Sequence, residues 1–147
     1  MIDFKSTYDV RIDDYDEVWI ICRSINKLAN KFFDANGILL GKVKHVPELS
    51  PSTELFFQYR NLVNRGLWCQ QQFDDNYTPH FISQIENDEV AQKALANLCE
   101  LSKQKKIACV CFCKDEKMCH RSIIRKMLEE KQQEIEDEEE ISEGMEI

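Results

Sequence analysis

From residue 17 the chain reads Glu-Val-Trp-Ile-Ile-Cys-Arg, a β-branched apolar run between the polar segment 13–16 and Ser24-Ile25-Asn26. This pattern predicts a buried strand ending at Arg23. Asn36-Gly37 is a turn signal, and a second short extended segment is expected over 38–46. Ser50 before Pro51 offers a capping hydroxyl followed by a proline at the first helical position. Leu55, Phe56, Tyr59, Leu62 and Val63 then recur at helical spacing up to Gly66. Trp68, Phe73 and Tyr77 suggest another helix, which Pro79 should end or bend because its ring lacks a donor and crowds the preceding turn. Asn87-Asp88 can cap a third helix with Val90, Ala91, Ala94, Leu95, Leu98 and Leu101 on one face. Lys103, Lys105 and Lys106 suit the negative end of its dipole. The segment 107–113 is apolar without alternation, as in a strand covered on both faces. A polar loop over 114–118 leads to a last helix that buries Ile123, Ile124, Met127 and Leu128. The order strand, helices, strand, helix implies an α/β fold, a single layered domain over residues 1–128 with a mainly parallel sheet flanked by helices.

Composition narrows the classes. At 147 residues and 43% hydrophobic positions the chain can bury one core but not two. Four glycines and three prolines cannot assemble a glycine-rich phosphate loop, which excludes Walker-type ATPases and dinucleotide-fingerprint oxidoreductases. The longest apolar run has seven residues, against the ~20 that a bilayer requires. The opening MIDFKSTYDV lacks the order of a secretion signal. A cytoplasmic location with no membrane partner is expected.

The formal charge of −8 is concentrated in residues 129–147, which hold ten acids against Lys131 and leave residues 1–128 near neutral. A near-neutral body lacks the basic face of a non-specific duplex binder, so nucleic acid is not an expected partner. The acidic C-terminal tail reads as a solvated, partly helical or disordered end. Its sharper reading is a surface that docks on a basic protein partner or imitates nucleic acid. Seven cysteines, an odd number without an export signal, imply reduced thiols that are mostly small buried hydrophobes.

In parallel sheets ligands sit beyond the carboxyl ends of the strands. Two such ends are expected, at 22–24 and from Cys113 through Ser122. The segment 110–124, VCFCKDEKMCHRSII, resembles the signature of the domain-of-unknown-function family 488. In that pattern an apolar strand ends in Cys, a short acidic loop follows, and a Cys-His-Arg-Ser run opens a helix. Cys111, Asp115, Cys119, His120, Arg121 and Ser122 match it in type and spacing. Residues 50–55 and the Trp68, Phe73 and Tyr77 set are similar to the middle of one branch of the family, and Cys22-Arg23 corresponds to its strand ending in an acid plus Arg. The resemblance covers roughly residues 15–128. Cys113 and Cys22 depart from it, standing where relatives carry an acidic or small residue. The family has no assigned activity, so the resemblance bears on fold and site more than on function.

A helix opening with His120 and Arg121 offers free N–H groups, a positive dipole end and a guanidinium, which favour phosphate or carboxylate. Arg23 would close a two-arginine clamp, with Cys111 and Ser122 beside it in a polar pocket. The plainer alternative pairs His120 and Arg121 with the loop acids Asp115 and Glu116. Cys119 stands where a helix start and Arg121 would lower a thiol pKa, a nucleophile's environment, although the Cys-x5-Arg of thiol phosphatases is absent. His120 suits a general base or a structural histidine. Cys111, Cys113, Cys119 and His120 were they ligands would have an unusual zinc spacing, and the adjacent Cys119 and His120 would both have to turn inward. No metal and no cofactor are therefore expected, and His45 and His80 carry no assigned role. These features predict binding of a small anionic, phosphorylated or nucleotide-like molecule, with Cys119 and His120 as the catalytic pair if it is a substrate. Two other readings are a non-catalytic sensing or sequestering module and an interaction factor acting through the acidic tail.

Overall fold

The two apolar runs become the interior of a four-stranded sheet. In the computed structural model, which describes residues 1–113 and 116–145, the strands are β1 (Ile2–Ser6), β2 (Glu17–Ile20), β3 (Val43–His45) and β4 (Ile107–Cys111). Their spatial order is β1-β4-β2-β3 and every pairing is parallel. β2 and β4 are buried at every residue, as unbroken apolar runs require when both faces are covered. Cys109 lies opposite both Phe4 and Trp19 in the ladder. β2 ends at Ile20 rather than Arg23, but Ile21 still donates its N–H to the Val110 carbonyl at 3.0 Å and holds the chain beside β4. The hydrophobic pattern does not announce β1, because Ile-Asp-Phe-Lys-Ser offers too few apolar positions.

Helix α1 (Thr53–Asn64) begins two residues later than expected. Its cap is Ser52, whose hydroxyl accepts the Leu55 N–H at 3.1 Å. Ser50 is fully buried and turns its hydroxyl back to the Pro47 carbonyl, so it closes the preceding turn instead. The helix stops where Gly66 takes a φ of +69°, a conformation that costs a side-chain-bearing residue strain. Phe56 and Val63 are exposed, and Leu55 alone of the five periodic apolar residues is deeply buried.

Next come α2 (Gln70–Gln72), a π-helical turn (Phe73–Tyr77) and α3 (Thr78–Glu86). Pro79 therefore does not end the helical stretch; the widened turn just before it absorbs the missing donor and the ring's bulk. The same turn brings Phe73 and Tyr77 inward together. Helix α4 (Glu89–Leu101) starts as expected, with the Asp88 carboxylate accepting the N–H groups of Val90 and Ala91. Val90 itself is solvent-exposed. Lys105 serves an ion pair rather than the helix dipole. It reaches the buried Glu17 carboxylate at 2.8 Å, which also receives Lys44 at 2.8 Å and the Trp19 indole at 3.1 Å.

Helix α5 (His120–Met145) buries Ile123, Ile124 and Leu128 and continues without a break through residue 128 into the acidic segment. Among the described residues no helix is long and apolar enough to cross a membrane. The chain is thus a single α/β domain on an all-parallel sheet.

Candidate functional site

The carboxyl ends of the neighbouring strands β2 and β4 open into a cavity of about 340 Å³. Its walls are the side chains of Phe56 and Tyr59 from α1, Tyr77 from the π turn, and Phe112 and Met118 from the segment after β4. Cys22, Cys111, Cys113, Cys119 and His120 also line it, and Arg23, Ser24, Pro51 and Thr53 contribute to its boundary. The walls are mainly aromatic and apolar, whereas the expected pocket was polar. The difference arises because α1 and the π turn, distant in sequence, supply rings to the cavity.

Those rings are held by one another. Tyr59 meets Trp68 edge-on at 4.7 Å, Trp68 meets Tyr77 at 5.8 Å, and Tyr77 stacks on Phe81 at 6.3 Å. Phe81 in turn contacts the His120 ring edge-on at 5.7 Å. Aromatic pairs in this distance range prefer such tilted and offset geometries. The chain of rings thus links the cavity wall to the first residue of α5.

His120 is buried, and its Nε2 lies 2.7 Å from the carbonyl oxygen of Ile21. That contact assigns the N–H to Nε2 in the neutral ring and leaves Nδ1 with a lone pair. Nδ1 is 3.6 Å from the Cys119 Sγ, which is 3.1 Å from the Cys111 Sγ. Cys111, Cys119 and His120 therefore converge, with one donor atom each inside a sphere of 4.8 Å separations. Ligation at this spacing requires the adjacent Cys119 and His120 both to turn inward. They do so because Cys119 precedes the helix in a non-helical conformation, while His120 is anchored to the strand end by its far nitrogen.

Hydrogen bonds from Cys111 and Cys113, with the neighbouring His120 charge, hold the Cys119 thiol far below its ordinary range despite its burial. Hydrogen bonds with Cys113, Cys119 and Cys22, together with burial, push Cys111 upward. Burial opposes the charged form of His120, but the Cys119 thiolate and its hydrogen bond outweigh it and raise the ring. Burial likewise drives the Tyr77 phenol upward, so it stays protonated as a donor.

Arg23 lies at the rim, where its Nε donates to the Pro51 carbonyl at 2.9 Å. This bond holds the guanidinium beside the start of α1. Arg121 takes a different place. It is 2% exposed, does not line the cavity, and donates from Nη2 to the Cys113 carbonyl at 2.6 Å. The two arginines consequently do not close on the cavity as a clamp. Ser122 also lies off the cavity and donates its hydroxyl to the Cys119 carbonyl at 2.8 Å. Asp115 and the Glu116 side chain, considered as partners for His120 and Arg121, lie outside the described residues.

Sequence reasoning missed Phe56, Tyr59 and Phe112 as cavity residues. Their apolar periodicity reads as core, and the carboxyl-end rule identifies strand ends rather than the helices that roof them. Cys22 had a visible signal, its position just before Arg23.

No curated protein and no solved structure gives a significant match to the chain. The family model DUF488-N3a, described as the active DUF488-N3 subclade, matches residues 24–132. That span contains Cys111, Cys113 and the Cys119–Ser122 run, and it begins directly after Cys22 and Arg23. With three quarters of its length matched, the chain belongs to the DUF488 family, in the DUF488-N3a subclade.

Proposed function

We propose that this protein binds a planar, phosphate-bearing small molecule of the nucleotide type in the cavity at the carboxyl edge of its sheet. The observation that carries this reading is the pairing of aromatic walls with a cationic rim. Phe56, Tyr59, Tyr77 and Phe112 offer faces and edges on which a base can stack, an interaction worth about 1–3 kcal/mol per base. At the rim Arg23 offers a guanidinium beside the start of α1, whose dipole end is positive, a combination that favours phosphate. A volume of about 340 Å³ falls in the range of small-molecule sites and suits a mononucleotide better than a dinucleotide. Cys119 and His120, at the cavity floor, supply the reactive groups that such a ligand would meet. The description of the subclade as active supports a catalytic rather than a purely sequestering role.

Calorimetric titration of the full chain with a panel of nucleoside monophosphates tests this reading. Saturable binding by at least one nucleotide, weakened about tenfold or more by Tyr59→Ala and by Arg23→Ala, is expected. Absence of binding across the panel, or equal binding by both variants, would exclude it. Mass analysis of the ligand recovered after denaturation separates turnover from sequestration: an enzyme returns a product, a sequestering module the same compound.

A further inference from the structure

The ligand reading leaves unexplained why two thiols and an imidazole converge at the cavity floor. The geometry points to a divalent metal site of the zinc class, with Cys111 Sγ, Cys119 Sγ and His120 Nδ1 as ligands and the fourth position open to the cavity. Three independent features of the cluster carry this assignment.

The first is distance. Metal–sulfur and metal–nitrogen bonds of about 2.3 and 2.0 Å at a tetrahedral angle put sulfur about 3.5 Å from nitrogen and about 3.8 Å from a second sulfur. Cys119 Sγ and His120 Nδ1 are already 3.6 Å apart. The two sulfurs are 3.1 Å apart, so a small rotation of one thiol opens the site. A disulfide would require them to close to about 2.0 Å instead.

The second is orientation. A histidine that ligates a metal commonly donates its other ring N–H to a carbonyl or carboxylate, which fixes the tautomer and aims the ligating nitrogen. The 2.7 Å contact between His120 Nε2 and the Ile21 carbonyl has that form, and it aims Nδ1 at the sulfurs.

The third is composition and access. Two thiolates neutralise a 2+ ion in a buried site, and a set of two sulfurs and one imidazole selects zinc or another borderline-soft ion over magnesium or calcium. Cys111 and Cys119 are each 2% exposed, so the charge is well shielded from water. All three residues nevertheless line the cavity, which leaves a coordination position for water or ligand, as in catalytic sites with three protein ligands. Arg121, held by the Cys113 carbonyl, keeps a buried Nε without a hydrogen-bond partner among the described residues.

The test reads the metal directly and so is independent of whether a nucleotide binds. The full chain is purified under reducing conditions without chelator, and its metal content is measured. The reduced, metal-free chain is then titrated with cobalt(II). About one zinc per chain and the visible bands of tetrahedral cobalt with a thiolate charge-transfer band are expected. Cys111→Ser, Cys119→Ser and His120→Ala should each lower retained metal at least tenfold, while Cys69→Ser, at an exposed thiol that is not part of the cluster, should leave it unchanged. If a ligand variant fails to fold, cobalt titration of the unmodified chain still decides. A reduced wild-type chain that takes up no zinc and gives no tetrahedral cobalt spectrum overturns the assignment. So does full metal retention in folded Cys111→Ser and Cys119→Ser, which would locate the ion elsewhere.

Discussion

The His120 ring and the Ile21 carbonyl oxygen meet at 2.7 Å and tie the first residue of α5 to the chain just after β2. The contact is buried and spans 99 positions of sequence, so it fixes the motif-bearing helix against the end of the neighbouring strand β2. Removing one partner of a buried hydrogen bond leaves the other unsatisfied and costs about 1–3 kcal/mol. His120→Ala should therefore destabilise the metal-free protein by about 2 kcal/mol, with a further loss from the Phe81 ring contact. Urea unfolding in the presence of a chelator measures this separately from any metal effect. A change below about 0.5 kcal/mol would show that the tether is unimportant for the fold.

The helix caps give a second, sharper comparison. Ser52→Ala should cost about 1 kcal/mol, because its hydroxyl accepts the Leu55 N–H at the start of α1. Asp88→Ala should cost a similar amount at α4, where one carboxylate oxygen serves both Val90 and Ala91. Circular dichroism thermal melts read both, and an unchanged melting temperature for either variant contradicts its capping role.

These positions also show what the sequence disclosed. Asp88 was legible because the apolar stripe following it has a clear start. Ser52 was obscured by Ser50-Pro51, an equally plausible capping pair whose serine folds back onto Pro47. β4 was legible because it opens a run of seven consecutive apolar residues, of which it takes the first five, whereas β1 gains its place mainly from pairing with β4, a long-range contact that five residues cannot advertise. At the site, the Cys-His-Arg run was visible, but its division of labour was not. Successive residues on a helix point about 100° apart, and here His120 takes the cavity side while Arg121 turns to the Cys113 carbonyl. The aromatic roof depends on where α1 and the π turn are carried by the fold, and no local pattern encodes that.

Acid should weaken the protein through Glu17. Burial raises this carboxyl, but hydrogen bonds from Lys105, Lys44 and Trp19 outweigh burial and bring it down from 4.5 to about 2. A carboxylate depressed on folding contributes stability that is complete above its ordinary pKa and is lost as pH falls through the folded value. Urea midpoints should fall between about pH 4.5 and 2, with Glu17 accounting for on the order of 2 kcal/mol because the half-exposed lysines are screened by water. Glu17→Gln should flatten that part of the profile relative to the unmodified protein. An equally steep acid decline in the variant would assign the effect to other carboxyls.

The two arginines should separate into different roles. Arg121 is 2% exposed and holds the half-buried Cys113 carbonyl, so Arg121→Ala leaves that carbonyl without its charged donor and opens a void where the guanidinium was. A loss of about 2–3 kcal/mol in unfolding free energy is expected. Arg23 is exposed at the rim and bonds a carbonyl that water can reach, so Arg23→Ala should change stability by less than about 0.5 kcal/mol. Its effect should fall on ligand affinity, with about a tenfold weakening for a nucleoside monophosphate and little change for the corresponding uncharged nucleoside. Arg23→Lys should recover part of the loss, since an ammonium keeps the charge but not the planar fork. Paired denaturation and calorimetry on the variants decide the matter. A binding defect of equal size for nucleoside and nucleotide would remove phosphate recognition from Arg23, and a stability defect confined to Arg23→Ala would reverse the assignment of the two residues.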